Sequence, residues 1–342
     1  MKTHTFTYKP NFNLENGGML GGFELEYVTK GKLNRAGDNV IWVCHPLTAS
    51  ADFSEWWHGL VEKLYDPQKY FIICANVLGG CYGSTGPLSP NLHTGEVYFH
   101  KFPPITIRDM VKAFGLLRSH LKINRIDTLI GASMGGQQAL EWAIMEPDSM
   151  ERLVLVATNA QHSPWGIAFN ESQRMAIALD PTWKLNYPKA GINGLKAARA
   201  MAMLSYRSYE CYANSQREND NEKRDDYKAS AYQRYQGDKL ADRFNAYSYW
   251  HLSKAMDSHH VGRGRGGISE ALRKIKARVT IIGIASDMLF PLEEQRLLAM
   301  HIRGAQYIEI DSAHGHDGFL TEVGQLSFVL NDKNRSIHRC VG

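Results

Sequence analysis

The run Gly131-Ala132-Ser133-Met134-Gly135-Gly136 sets a serine between glycines two residues before and two residues after it. This G-x-S-x-G spacing belongs to a strand that turns sharply into a helix. Such a turn strains its central residue, and the flanking glycines remove the bulk that would stop chain segments from passing. The serine Oγ then stands above the carboxyl end of a sheet, over a helix N-terminus with free N–H groups and a partial positive charge. A serine of ordinary acidity is a poor nucleophile: it needs a base, and the base needs an orienting acid. With this turn the chain order is serine, acid, histidine, each partner following a later strand. Asp287, in Ser286-Asp287-Met288, fits the acid. His314 and His316, in Ser312-Ala313-His314-Gly315-His316-Asp317, both fit the base, and spacing does not choose between them. Asp287 also suits an N-cap for a helix over Leu292–Met300. Two backbone donors are needed for a developing oxyanion. Met134, next to the serine, supplies one. The loop His45-Pro46-Leu47-Thr48 supplies the other from Leu47, because Pro46 has no N–H.

Buried strands must hold these loops. Asn39–Cys44, Tyr70–Ala75, Thr128–Gly131, Leu153–Ala157, Val279–Ala285 and Ala305–Ile310 are short apolar runs of the kind buried on both faces of a parallel sheet. Helices are predicted over Ser54–Tyr65, Ile105–Leu121 and Met134–Met145, the last ended by Glu146-Pro147. Strands and helices alternating in this way give a parallel sheet covered on both faces. From about Pro164 to Gly267 the pattern breaks, and the chain turns rich in Ala, Met, Tyr, Arg and Asn. This predicts a core from residues 1–163 and 268–342, interrupted by a helical cap over 164–267. The tract Arg217–Asp226 reads as a solvated loop or helix face. His162 and the pair His259-His260 have no catalytic placement and read as structural or surface residues.

At 342 residues, 44% hydrophobic and 22% charged, the chain is long enough for one large core with an insertion and is not compositionally disordered. A net charge of +4 is too weak to imply nucleic acid. The segment Gly262-Arg263-Gly264-Arg265-Gly266-Gly267 lacks the G-K-[ST] ending of a phosphate loop and is one short run, so no nucleic-acid partner is expected. No apolar run approaches a membrane span, and Met1–Asn13 has no apolar signal core. Five sparse cysteines without a Cys-x-x-Cys fit a cytoplasmic location.

Beyond these motifs the chain resembles the homoserine O-acyltransferases, enzymes of methionine biosynthesis with an α/β-hydrolase fold. The resemblance runs from about Phe12 to Leu320. Its segments include LNRAGDNVIWVCHPLT, YFIICANVLGGCYGSTGP, FPPITIRDMVKA, GASMGGQQALEWA, IAFNESQRMAI, Tyr206-Arg207-Ser208, YQGDKLADRFNAYSYWHLSKAMDSHHVGRGRGG, SDMLFP and GHDGFL. It implies an α/β fold with a mostly parallel sheet, helices on both faces and a helical lid. It implies Ser133 as nucleophile, Asp287 as its acid and His316 as base, with Leu47 and Met134 as oxyanion donors. Arg207 and Asp317 correspond to family groups beside the bound amino acid, and Tyr235 to a position lining the same pocket. A zwitterionic acceptor suits that pair, since its carboxylate wants a guanidinium and its ammonium a carboxylate. The resemblance further implies acetyl-CoA as acyl donor, L-homoserine as acceptor, no permanently bound cofactor or metal, and a homodimer formed through the cap. The arginines of Gly262–Gly267 are within reach of a role with CoA phosphates.

Departures from the family pattern touch the cap and entrance: ASADFSEWW after HPLT, the tract YECYANSQRENDNE, and Gln137 where Met is common. Acetyl against succinyl donor, homoserine against serine acceptor, and transfer against hydrolysis of an ester or thioester all stay open on sequence. A non-catalytic binding protein on the same scaffold is disfavoured, because it has no need of Ser133, Asp287 and His316 together. Cys81, in GGCYG, reads as a small packing residue.

Overall fold

The computed structural model describes residues 1–331; the predicted core segment beyond them, with Cys340, lies outside the described residues. Eight strands form one sheet: β1 Lys2–Tyr8, β2 Phe23–Lys30, β3 Val40–Cys44, β4 Phe71–Ala75, β5 Ile126–Ala132, β6 Met150–Val156, β7 Arg278–Ile284 and β8 Gln306–Ile310. Their order across the sheet is β1-β2-β4-β3-β5-β6-β7-β8. Pairing is parallel from β4 to β8 and antiparallel for β1 with β2 and β2 with β4. The β3 run Val-Ile-Trp-Val-Cys is buried throughout, since both of its faces are covered. The parallel strands stand within a residue or three of their predicted bounds.

The antiparallel edge was not apparent in the sequence. β1 reads KTHTFTY, an edge strand in which Phe6 alone is buried, so it lacks the apolar run of a central strand. β2 alternates, with Phe23, Leu25 and Tyr27 turned into the core and Glu24 and Glu26 on the other face.

Two helices flank the centre. α1 Ile107–His120 opens on a reciprocal capping box between Thr106 and Asp109 and buries Met110, Val111, Phe114 and Leu117. α2 Met134–Met145 follows β5 directly and is buried on almost every side. Trp142 of α2 meets Trp42 of β3 edge to face at 4.8 Å, an aromatic contact worth about 1 kcal/mol beyond area burial. The single helix predicted over Ser54–Tyr65 is instead two short turns, Phe53–Trp56 and Leu60–Leu64, separated at Gly59 with φ +70. A left-handed residue ends one helical turn and starts the next.

Between β6 and β7 the chain leaves the sheet and runs as helices: α3 Pro164–Ala178, α4 Ile192–Tyr206, α5 Tyr209–Ser215, α6 Lys228–Ala241 and α7 Ala246–Asp257. Gln161 and His260 pair as a bridge where it departs and returns. The arginines of Gly262–Gly267 are committed inward, against the role with CoA phosphates. Arg265 lies 2.5 Å from Glu141 of α2, Arg263 lies 3.0 Å from Glu15, and Arg108 joins both acids at 2.7 Å. Glu141 is almost fully buried, so this network ties the return segment to the core rather than offering cations to a ligand. After β7 come α8 Leu292–His301 and, following β8, a single turn at Gly315–Asp317 and the helix α9 Val323–Asn331.

Candidate active site

Ser133 sits between β5 and α2 with φ 56 and ψ −128, a conformation costing about 1–3 kcal/mol that its surroundings must hold. The glycines show how. A Cβ on Gly131 stands 2.2 Å from the Gly135 carbonyl oxygen, and one on Gly135 stands 2.1 Å from the Cys44 carbonyl oxygen. Neither backbone contact admits a side chain, so strand, elbow and helix pack at a separation that glycine alone allows.

Asp287 follows β7 and His316 follows β8. The structure brings both to Ser133. His316 Nε2 lies 2.9 Å from Ser133 Oγ, and His316 Nδ1 lies 2.6 Å from Asp287 Oδ2. The other Asp287 oxygen accepts from the N–H groups of Leu289 and Phe290. Asp287 is not the cap of α8, which begins after Pro291. Three rings fix the imidazole: Phe290 stacks on it at 5.1 Å and 22°, Phe319 meets it edge-on at 5.3 Å, and Tyr206 lies at 5.9 Å. The acid and base loops are tied together by Ser286, whose Oγ donates to the Ser312 carbonyl and accepts from the Gly315 N–H. His314 stands apart, its Nδ1 3.6 Å from Cys211 Sγ.

Burial acts to lower the pKa of His316, but the charge of Asp287 and its hydrogen bond, with Asp317 and Glu294 adding negative potential, hold it above the ordinary imidazole value. Glu294, on α8, escaped the sequence reading. Its carboxylate accepts from Asn159 Nδ2 at 2.8 Å, and burial raises its pKa to about 7 despite that bond. Nothing in the local pattern marks it; it is one of two consecutive glutamates in a helix start, and only packing turns it toward the imidazole. Glu294→Gln is expected to move the acidic limb of the acylation rate to lower pH. The reason is a sign: a negative charge stabilises the protonated imidazole, so removing it lets His316 stay neutral, and basic, further down the pH scale. A pH profile of acetyl-enzyme formation checks this, and an upward shift or none sinks it.

The loop after β3 lies against the N-terminus of α2. His45 is buried, and burial lowers its pKa to about 4, so it is neutral. Its Nδ1 lies 2.9 Å from the Pro46 carbonyl, and its Nε2 accepts from the Val77 N–H. Gln138 of α2 reaches the His45 carbonyl at 3.3 Å. This neutral tautomer fixes the turn that presents Leu47, and a narrow crevice lined by Leu47, Ala49, Asn76, Tyr82 and Phe244 opens beside it. Among the described residues, neither the Leu47 nor the Met134 N–H has a protein acceptor.

Arg207 ends α4, with its Nε 2.8 Å from Asp317 Oδ2, although that N–H points at no acceptor. Burial raises the Asp317 pKa and Arg207 works against it. Tyr235 is not brought to this group. It is 56% exposed on α6, with Lys239 Nζ 5.9 Å above its ring. The tyrosine of α6 that acts on Arg207 is Tyr232, three residues earlier and so turned about 60° round the helix. Its ring meets Tyr212 at 5.9 Å. His162 and His259 are buried and hydrogen-bonded, with pKa values lowered by burial to about 4 and about 3, which fits a structural role. Cys81 is partly buried, with its thiol raised to about 12 by burial.

Sheet order, elbow and the loops after β7 and β8 define an α/β hydrolase, and the family model described as alpha/beta hydrolase fold matches residues 39–323. Within that class the chain belongs to the homoserine O-acetyltransferase family. It is 51% identical to the homoserine O-acetyltransferase of Cyclobacterium marinum over 96% of this chain and 94% of that one. It is 40% identical to that of Thermus thermophilus over 95% and 90%. The structure of homoserine O-acetyltransferase from Bacillus anthracis superposes with a TM-score of 0.89 at 27% identity, covering 98% of this chain and 99% of that one. Esterase E22, at 24% identity and a TM-score of 0.86 over 96% and 98%, shares the fold.

Proposed function

We propose that this protein transfers an acetyl group from acetyl-CoA to the hydroxyl of L-homoserine, through an acetyl-serine at Ser133. Full-length similarity to homoserine O-acetyltransferases carries this reading. The hydrogen-bonded series Ser133–His316–Asp287 supplies its chemistry.

In the first half-reaction His316 takes the Ser133 proton as Oγ attacks the thioester carbon. The oxyanion rests on the Leu47 and Met134 N–H groups, donors worth about 3–4 kcal/mol each in related sites. Asp287 holds the imidazole with Nε2 toward serine and stabilises its cation. As the tetrahedral intermediate collapses, His316 gives the proton to the departing CoA sulfur. In the second half-reaction homoserine enters, His316 takes its hydroxyl proton, and the alkoxide attacks the acetyl-serine. Collapse returns the proton to Ser133. This is ping-pong transfer. Arg207 and Asp317 serve the amino-acid end of the acceptor, and helices α3–α7 serve as the lid that holds water away from the acetyl-serine.

The same reading places the protein in methionine biosynthesis in the cytoplasm, in keeping with the four free cysteines among the described residues. It also takes the protein as a homodimer through the cap. Exposed apolar side chains on the cap helices support that, among them Trp165, Met175, Leu179, Leu204 and Tyr209. Intact-mass measurement after mixing with acetyl-CoA is the test. An acetyl adduct on Ser133 that L-homoserine discharges as O-acetylhomoserine is the expected result. An adduct discharged only to free acetate, at a rate indifferent to homoserine, overturns transfer in favour of hydrolysis. An adduct formed from succinyl-CoA and not from acetyl-CoA overturns the donor.

A further inference from the structure

Arg199 lies on α4, seven residues before Tyr206 and so on the same helix face two turns away. Its guanidinium carbon stands 5.2 Å from the centre of the Tyr206 ring, and that ring stands 5.9 Å from the His316 ring. Among the described residues no carboxylate lies within ion-pair distance of it. This is unusual for a half-buried arginine beside an acid, because its positive potential acts on Asp317 as well as on Tyr206, Tyr212 and Tyr249. Arg207 is differently placed. Its Nε lies against Asp317 and its Nη1 points to Cys211 Sγ at 3.7 Å. Arg207 and Asp317 therefore largely neutralise each other, and the unmatched positive charge of this end of the site rests on Arg199.

From the unpartnered guanidinium stacked on Tyr206 beside His316, we infer that Arg199 receives the α-carboxylate of the amino-acid acceptor. The inference rests on the acetyl-transfer reading and deepens it. Charge argues for it. A zwitterion whose ammonium faces Asp317 needs a cation that Asp317 has not already matched, and a fully paired site has none to give. Length argues for it as well. The separations of 5.2 and 5.9 Å put the guanidinium at most about 11 Å from the imidazole. A four-carbon hydroxy amino acid, with a hydrogen bond of about 2.8 Å at each end, spans that interval. Its hydroxyl then meets His316 while its carboxylate meets Arg199, with Tyr206 as the floor between them. In this arrangement Arg207 holds Asp317 in place for the ammonium.

The test compares L-homoserine with 3-aminopropan-1-ol, which is homoserine without its carboxylate. The discharge rate of the acetyl-enzyme is followed by intact mass at subsaturating acceptor, for the wild type, Arg199→Met and Arg199→Lys. The wild type is expected to prefer homoserine. Arg199→Met is expected to reduce that preference about 10²-fold, the size of a lost charged hydrogen-bond pair, and Arg199→Lys to reduce it less. A ratio of two acceptors on one enzyme is insensitive to how much of a variant is folded. If Arg199→Met accepts no acetyl group, the lysine variant carries the comparison. An unchanged preference in the variants, with homoserine still discharging the enzyme, overturns the role of Arg199 and leaves acetyl transfer standing. A wild-type acetyl-enzyme that homoserine discharges no faster than water overturns both.

Discussion

Ser133→Ala is expected to abolish acetyl-enzyme formation and to lower the transfer rate by about 10³-fold or more, the loss seen when a serine nucleophile is removed from such a group. The effect is large because the rest of the site has no second nucleophile at that place. The elbow puts Oγ 2.9 Å from His316 Nε2. Cys44 and Cys74 are fully buried, with thiols held well above their ordinary pKa by burial, so neither supplies a thiolate. Alanine fits the space, and it removes one hydroxyl from a residue that is 5% exposed. The fold is expected to survive, and the strained backbone at φ 56 costs alanine about what it costs serine. A mass measurement after incubation with acetyl-CoA separates the outcomes. An adduct on the alanine variant, or a retained burst of CoA release, removes Ser133 from the chemistry.

Much of this site was legible in the sequence, for physical reasons that differ from residue to residue. The elbow is a local object: its glycines at 131 and 135 are required by backbone contacts only a few residues or one strand away, so a short motif carries them. The buried parallel strands are also local, because a strand covered on both faces must be apolar along its length. Asp287 and His316 are reached through chain order, since each lies in a loop after a late strand. The antiparallel edge was not legible, because β1 gains its place by pairing with β2 and buries little of its own. Partnerships across the cap were equally hidden. Tyr232 rather than Tyr235 acts on Arg207, a choice set by how α6 is rotated against α4. Glu294 and Arg199 face the imidazole because whole helices pack there, and no spacing within their own segments expresses that. Arg263 and Arg265 looked available in the sequence because their partners, Glu15 and Glu141, are more than a hundred residues distant.

The two histidines of the final loop are expected to separate cleanly. His316→Ala should lower acetyl transfer about 10³-fold or more, comparable to loss of the nucleophile, because serine without its base stays protonated at neutral pH. His314→Ala should cost about fivefold or less, the equivalent of one neutral hydrogen bond of roughly 1 kcal/mol. The geometry explains the contrast. Two residues apart on a tight turn, the side chains diverge. His316 enters the cage of Phe290, Phe319 and Tyr206 and bridges Ser133 to Asp287. His314 turns toward the cap and meets Cys211 Sγ at 3.6 Å, a weak partner. The loop itself does not depend on the His314 ring, since the backbone N–H of His314 is held by Ser312 Oγ and that of Gly315 by Ser286 Oγ. Gly315 has φ 66, and a Cβ there stands 2.8 Å from the Ser208 nitrogen, so the turn that aims His316 is fixed by glycine against the end of α4. Single-turnover rates of CoA release on the two variants decide the matter: a reversed order assigns the base to His314. Equal, modest losses are incompatible with either histidine acting as the base.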